Sequence, residues 1–249
     1  PAVSTAARRR RSRRGPRLGR LRSLVCLLGA IASSLPAQTR YEIDLAEAAS
    51  GWVGVTVETV CKEPGCEFQL PVWNAIYQVR DFAQHIRGFQ AVNNQGRSIA
   101  VHKAGGASWR LAARAGERVR VRYRVEVKRP GPFGAFAGPN RICLNLAQVL
   151  AYPAAQRRNE FTLGFRHIPS GWKTAITLGR RQERYVAGSY DELTDTPVHM
   201  SPGAGTSFDH AGRRIRIFVD GLSGRHDLAE IKQRTQAIVS AATGIMGDT

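Results

Sequence analysis

A chain of 249 residues with 43% hydrophobic content can bury one large β domain or two ordinary ones, which excludes a mini-protein that needs disulfide or metal staples to fold. The formal net charge of +18 is that of a nucleic-acid binder until the charge is located along the chain. Residues 1–37 hold nine arginines and no acid, and the remainder carries 28 basic against 19 acidic residues, a net +9.

The arginine-rich start leads into the mostly apolar run Leu24 to Leu35, LVCLLGAIASSL, and then Pro36 and Ala37. That is the n, h and c order of a secretory signal peptide, and the run is too short to span a bilayer as a helix. Residues 1–37 are therefore expected to be cleaved near Ala37, which makes the protein periplasmic or secreted, without a stable membrane anchor. A disordered basic arm is the alternative, but a solvated arm would not carry the apolar run. Paired arginines also admit a twin-arginine signal, although no Phe-Leu-Lys follows them. Cys26 is read as an inert residue of the signal. The chain opens with Pro1 instead of Met, which reads as a fragment.

From Tyr41 to Val219 the pattern has period 2. Val53, Val55 and Val57 alternate with polar residues, and in Glu117 to Lys128 the row Val119, Val121, Tyr123, Val125, Val127 faces away from Arg118, Arg120, Arg122 and Arg124. Phe161, Leu163, Phe165 and Ile215, Ile217, Val219 repeat it, with Gly- and Pro-rich turns between. The fold class expected is mainly β, an antiparallel β-sandwich-like domain over residues 38–224. After Gly224, Leu228, Ile231, Thr235, Ile238, Val239 and Ala242 share one helical face, and Gly244 is placed as the C-terminal cap of one closing helix in 225–249.

Cys61 and Cys66 flank Lys-Glu-Pro-Gly. Pro-Gly suits the centre of a type II turn, where Gly accepts a positive φ, so the thiols would face each other across a hairpin. In an oxidising compartment a disulfide is the preferred reading. Two free half-buried thiols are the alternative, and zinc is weaker because no second ligand pair exists. Cys143 is left over and expected to be buried.

Two stretches carry most information. Leu70 to Ile86 reads LPVWNAIYQVRDFAQHI and Tyr190 to Val198 reads YDELTDTPV. Together they resemble the N-terminal region of the glycyl aminopeptidase family of zinc metallopeptidases (family sixty-one), through Pro71, Val72, Trp73, Tyr77, Val79, Arg80, Asp81, Phe82 and His85, and through Tyr190, Asp191, Leu193, Asp195, Pro197 and Val198. Where many members have Thr-Pro-Gly-Ser-Tyr after the tryptophan, this chain has the shorter Asn74-Ala75-Ile76-Tyr77.

The resemblance implies that the complete enzyme removes N-terminal glycine or alanine with zinc-bound water and a glutamate base on a His-Glu-x-x-His helix. Here no histidine is followed by Glu, so no catalytic or metal residue is assigned, no cofactor is expected in this chain, and zinc is expected only in a catalytic domain following the closing helix. The partners implied are that C-terminal catalytic domain and a peptide substrate, with Trp73, Tyr77, Arg80 and Asp81 as candidate contacts to either. An ordinary strand and turn with a core Trp is the plainer reading of those four. Asp191, Glu192 and Asp195 could offer hard oxygens to calcium, but their spacing suits capping and turn chemistry better. A free-standing basic β-sandwich binding module without peptidase chemistry is the second functional reading, resting on the arginine row, although an exported protein has no usual nucleic-acid partner.

Overall fold

The computed structural model describes residues 38–72, 81–130, 134–221 and 227–247. The first strands are β1 (Thr39–Asp44), β2 (Trp52–Val60), β3 (Glu67–Gln69), β4 (Ile86–Asn93), β5 (Ser98–Ile99), β6 (Val101–Gly105), β7 (Ser108–Leu111) and β8 (Arg118–Glu126). Next come β9 (Phe136–Ala137), β10 (Ile142–Leu144), the single-turn helix α1 (Leu146–Val149), β11 (Tyr152–Pro153), β12 (Phe161–Arg166), β13 (Lys173–Ala175), β14 (Gly179–Arg181) and β15 (Arg184–Ala187). Helix α2 (Tyr190–Thr194), strands β16 (Val198–Ser201), β17 (Ala204–His210) and β18 (Arg213–Val219), and helix α3 (Leu228–Met246) complete the described order.

Alternation governs the main sheet, whose strand order is β14-β15-β12-β1-β2-β8-β4-β5. Across β2 and β8, Val53 faces Val125, Val55 faces Tyr123 and Val57 faces Val121, all buried, while Thr56 faces Arg122 and Glu58 faces Arg120 on the water side. A one-residue slip would turn the arginines into the core, so the register is strongly specified. The sheet is antiparallel except where β1 meets β12 in parallel, Thr39 opposite Phe161.

Two smaller four-stranded sheets, β13-β16-β10-β9 and β11-β3-β7-β6, share one hydrophobic core with the main sheet. Phe68 and Leu111 come from one, Ile142, Leu144 and Met200 from the other, each essentially inaccessible. In β4 the register shifts between Arg87 and Gln90, and Gly88 takes φ +64°. The bulge re-aims Phe89 inward, where it stacks on Trp109 at 4.6 Å and Tyr123 at 5.3 Å between ring centroids.

Three buried phenols fasten one stretch of backbone beneath the main sheet. Tyr41 Oη donates to Ala151 O at 3.0 Å, Tyr123 Oη to Val149 O at 3.0 Å, and Tyr190 Oη to Leu150 O at 2.7 Å. Tyr123 Oη also accepts from Ala151 N at 2.8 Å. Irregular backbone in a core must have its polar groups satisfied, and these tyrosines do so without a strand. A second polar knot joins Thr39, Thr59 and Gln156, whose Nε2 reaches Val60 O at 2.9 Å.

Helix α3 begins at Asp227, whose side chain accepts from Ala229 N at 2.9 Å. It runs past Gly244 and ends at Gly247, φ +82°, so the cap lies three residues beyond the position expected from sequence. The residues on the expected apolar face divide. Leu228, Ile231, Thr235 and Val239 are half-buried, in the helix that packs on β17, whereas Ile238 is 67% exposed.

Candidate functional site

Four surfaces are candidates for function, and each is set by a local sequence rule. The first is the loop between β2 and β3. Gly65 takes φ +73°, as the Pro64-Gly65 turn predicts, and Cys61 and Cys66 are both buried. The loop is stitched down by Cys61 N to Glu117 O at 2.9 Å, Gly65 N to Ala113 O at 3.0 Å and Leu111 N to Cys66 O at 3.0 Å. The two sulfurs are free thiols within hydrogen-bonding reach of each other. A bond from Cys66 pulls the Cys61 thiol down, and the same shared proton, with burial, pushes Cys66 far up.

The second is the stretch around Asp81. Trp73, Tyr77 and Arg80 lie outside the described residues. Asp81 caps a short turn of 3-10 helix, Phe82–His85, its carboxylate accepting from Ala83 N at 3.1 Å, so that oxygen already serves the backbone. Val72 is 50% exposed.

The third is the outer face of the main sheet, where Arg40, Glu42, Glu58, Arg120, Arg122 and Arg184 surround a shallow depression. Most of its charge is matched. Arg120 pairs with Glu58 at 2.7 Å, Arg166 and Arg184 each reach Glu42 at 3.4 Å, and Arg124 contacts Glu47 and lies over the Trp52 ring. Arg118 and Arg122 have no ion pair among the described residues.

The fourth is α3, whose outward side presents Ile238, Ile245 at 86% exposure and Met246 at 79%. Positions 238 and 245 are two turns apart, on one side of the helix. No described helix is long and apolar enough to cross a membrane.

The acidic cluster does capping work. Ser189 Oγ accepts from Glu192 N at 3.1 Å while Glu192 Oε2 accepts from Gly188 N at 2.6 Å, and Arg157 Nη2 holds Asp191 at 2.7 Å. Among the described residues no group of three His, Cys, Asp or Glu is arranged for a metal ion. His85 faces Glu126 at 3.7 Å, His167 bonds Asp44 at 2.7 Å and His210 bonds Thr243 at 3.0 Å. Sequence reasoning missed one association: Cys143, half-exposed instead of buried, lies against His199. Those residues are 56 positions apart, and only strand pairing brings them together.

The family model described as the Peptidase M61 N-terminal domain matches residues 40–202. Among solved structures, an aminopeptidase N family protein from Idiomarina loihiensis superposes with a TM-score of 0.72 at 23% identity, over 78% of this chain and 34% of that one. This chain thus spans about a third of that relative, and at this identity the likeness is one of fold. An M1 zinc metallopeptidase from Deinococcus radiodurans gives a TM-score of 0.40 at 12% identity over 70% of this chain and 43% of its own. Aminopeptidase A of Legionella pneumophila gives 0.44 at 9% identity over 73% and 23%. No curated protein matches in sequence.

Proposed function

Since the chain belongs to the M61 peptidase N-terminal domain family, we propose that it is the non-catalytic front domain of a periplasmic or secreted glycyl aminopeptidase-like zinc enzyme, and that its work is to hold the catalytic domain. The observation that carries this beyond family membership is the exposed apolar side of α3. Ile238, Ile245 and Met246 are 67%, 86% and 79% exposed on a helix capped at both ends. Each such side chain would gain about 1.5–3 kcal/mol on full burial, which is the material of a docking interface. Zinc, its ligands and the general base belong in this reading to the catalytic domain, where metal-bound water supplies the nucleophile. Trp73, Tyr77, Arg80 and Asp81 serve the substrate cleft or the domain contact, and Asp81 also caps the short turn Phe82–His85.

The test is to produce this chain and an M61 zinc aminopeptidase catalytic domain as separate polypeptides, then measure their association by calorimetry and glycine release from a peptide. Association that is lost in the double variant Ile238→Asp, Ile245→Asp is expected, with no chelator-sensitive hydrolysis by the chain alone. Hydrolysis by the chain alone, or association indifferent to those substitutions, would overturn the reading.

The free-standing basic module retains one observation in its favour, the unmatched Arg118 and Arg122 on the outer face. The carboxylates interleaved there favour a solvated, non-aggregating sheet surface instead.

A further inference from the structure

Among the described residues none after Met200 joins the shared hydrophobic core, and in β17, β18 and α3 only Phe208 is buried. Strands β17 and β18 form a sheet of their own. A two-stranded hairpin is marginally stable until further strands or a helix complete it. Helix α3 packs chiefly on β17, which leaves β18 the less supported strand.

The turn identifies the spare backbone groups. Ala211 at φ +46° and Gly212 at φ +72° both take the left-handed region, the type I′ geometry of a two-residue hairpin loop. His210 and Arg213 are opposite each other and flank that loop as its hydrogen-bonded pair, and the unbroken register then gives Ile215, Ile217 and Val219 to β17. The N–H and C=O groups of Arg214, Arg216 and Phe218 point to the other edge. No backbone group from outside the hairpin bonds them among the described residues.

Space and charge are unfilled beside the same strand. Arg216, Ile217 and Phe218 border a cleft of about 490 Å³ shared with β13. Arg213 and Ile215 border a second, of about 500 Å³, shared with Val239 and Thr243 of α3. Asp209 is the single acid of the two strands against three arginines, and none of the three makes an ion pair among the described residues. Arg214 bonds Ser207 Oγ at 3.1 Å and Arg216 the Ile176 carbonyl at 2.8 Å. On the main sheet, by contrast, Arg120, Arg124, Arg166 and Arg184 each hold a glutamate.

We propose that β18 is an acceptor edge, to which the catalytic domain adds a β-strand bearing carboxylates toward Arg214 and Arg216 and apolar side chains toward Ile215 and Ile217. Main-chain bonds to Arg214, Arg216 and Phe218 supply affinity, and alternate side chains entering the two clefts select the partner. The arginines prevent the same edge from pairing with a second copy of itself, since like charges would meet. This inference rests on the reading that the chain holds a catalytic domain. To the apolar side of α3 it adds a hydrogen-bonded seam, which fixes how the two domains are oriented.

The test mixes this chain with an M61 zinc aminopeptidase catalytic domain, measures association by calorimetry, and reads amide hydrogen exchange residue by residue with and without the partner. The amides of Arg214, Arg216 and Phe218 are expected to slow by about tenfold or more in the complex, with smaller changes at Ile215, Ile217 and Val219, which β17 already holds. Arg214→Pro removes one outward donor at a position where an edge strand tolerates proline, and association should weaken by about tenfold. The double variant Arg214→Glu, Arg216→Glu should weaken it by a similar factor and flatten its salt dependence. Association without added protection at the three amides would overturn strand addition and leave the docking reading standing, whereas no association at all would overturn both. Should Arg214→Pro fail to fold, exchange in the wild type and the charge-reversal variant decide.

Discussion

The three core tyrosines show how much of this fold is carried by single polar atoms. Replacing Tyr190 by Phe keeps the ring that stacks on Tyr152 at 4.0 Å but strands the Leu150 carbonyl, and a buried unmade hydrogen bond costs about 1–3 kcal/mol. Urea unfolding should show a loss of that size with an unchanged slope. The same phenols give the protein an alkaline limit. Burial raises Tyr41 and Tyr190 well above the ordinary tyrosine range and raises Tyr123 in the same direction. In the unfolded chain they titrate near pH ~10, so above that pH the unfolded state loses protons that the native state keeps. Stability contributed by these groups is complete below about pH 10 and falls as pH rises beyond it, which a series of thermal melts from pH 8 to 11.5 would record. Cys61 and Cys66 add a redox dependence. Their buried, proton-sharing thiols are proposed to close into a disulfide when the protein is exported, and a loop this small stabilises by about 2 kcal/mol. Oxidised wild type should exceed reduced wild type by that amount, and Cys66→Ser should abolish the difference.

Among the elements, β2 and β8 were legible because strict alternation over nine residues each leaves one way to bury valine and expose arginine. Helix α3 was legible for its period, but its end was misplaced. Gly244 is tolerated inside the helix, and Gly247 supplies the positive φ that ends it. The two- and three-residue strands β9, β10 and β13 have no periodicity to read, and β10 and β13 meet β16 only across tens of residues. That is why the Cys143 and His199 neighbourhood could not be seen in advance. The divided face of α3 yields a prediction at this scale. Val239 is half-buried on the helix packed against the β17–β18 hairpin, which His210 also ties to Thr243. Val239→Asp should therefore unfold the helix from the hairpin, with a loss of about 1–3 kcal/mol, whereas Ile238→Asp should leave stability within about 0.5 kcal/mol. Circular dichroism and chemical denaturation of the two variants distinguish a packed side from a docking side.

For the whole molecule the question is what the large positive charge does. Half of the excess sits in residues 1–37, and the remaining +9 is spread along the rest of the chain, including a sheet face where Glu42, Glu47 and Glu58 interrupt the arginines. A nucleic-acid surface needs cations that release counterions together, so that affinity falls steeply with the logarithm of salt. Interleaved carboxylates defeat this, because each paired arginine must give up its partner before meeting a phosphate. The protein lacking residues 1–37 should accordingly show no saturable binding to a fluorescent duplex at physiological salt, and only a shallow salt dependence when forced at low salt. Replacing Glu42 and Glu58 by Gln frees Arg120, Arg166 and Arg184 at once, and the salt slope should then steepen by roughly 2–3. A steep slope in the protein with both glutamates intact would instead show that Arg118 and Arg122 suffice as a phosphate contact, and would return the outer face to the list of binding surfaces.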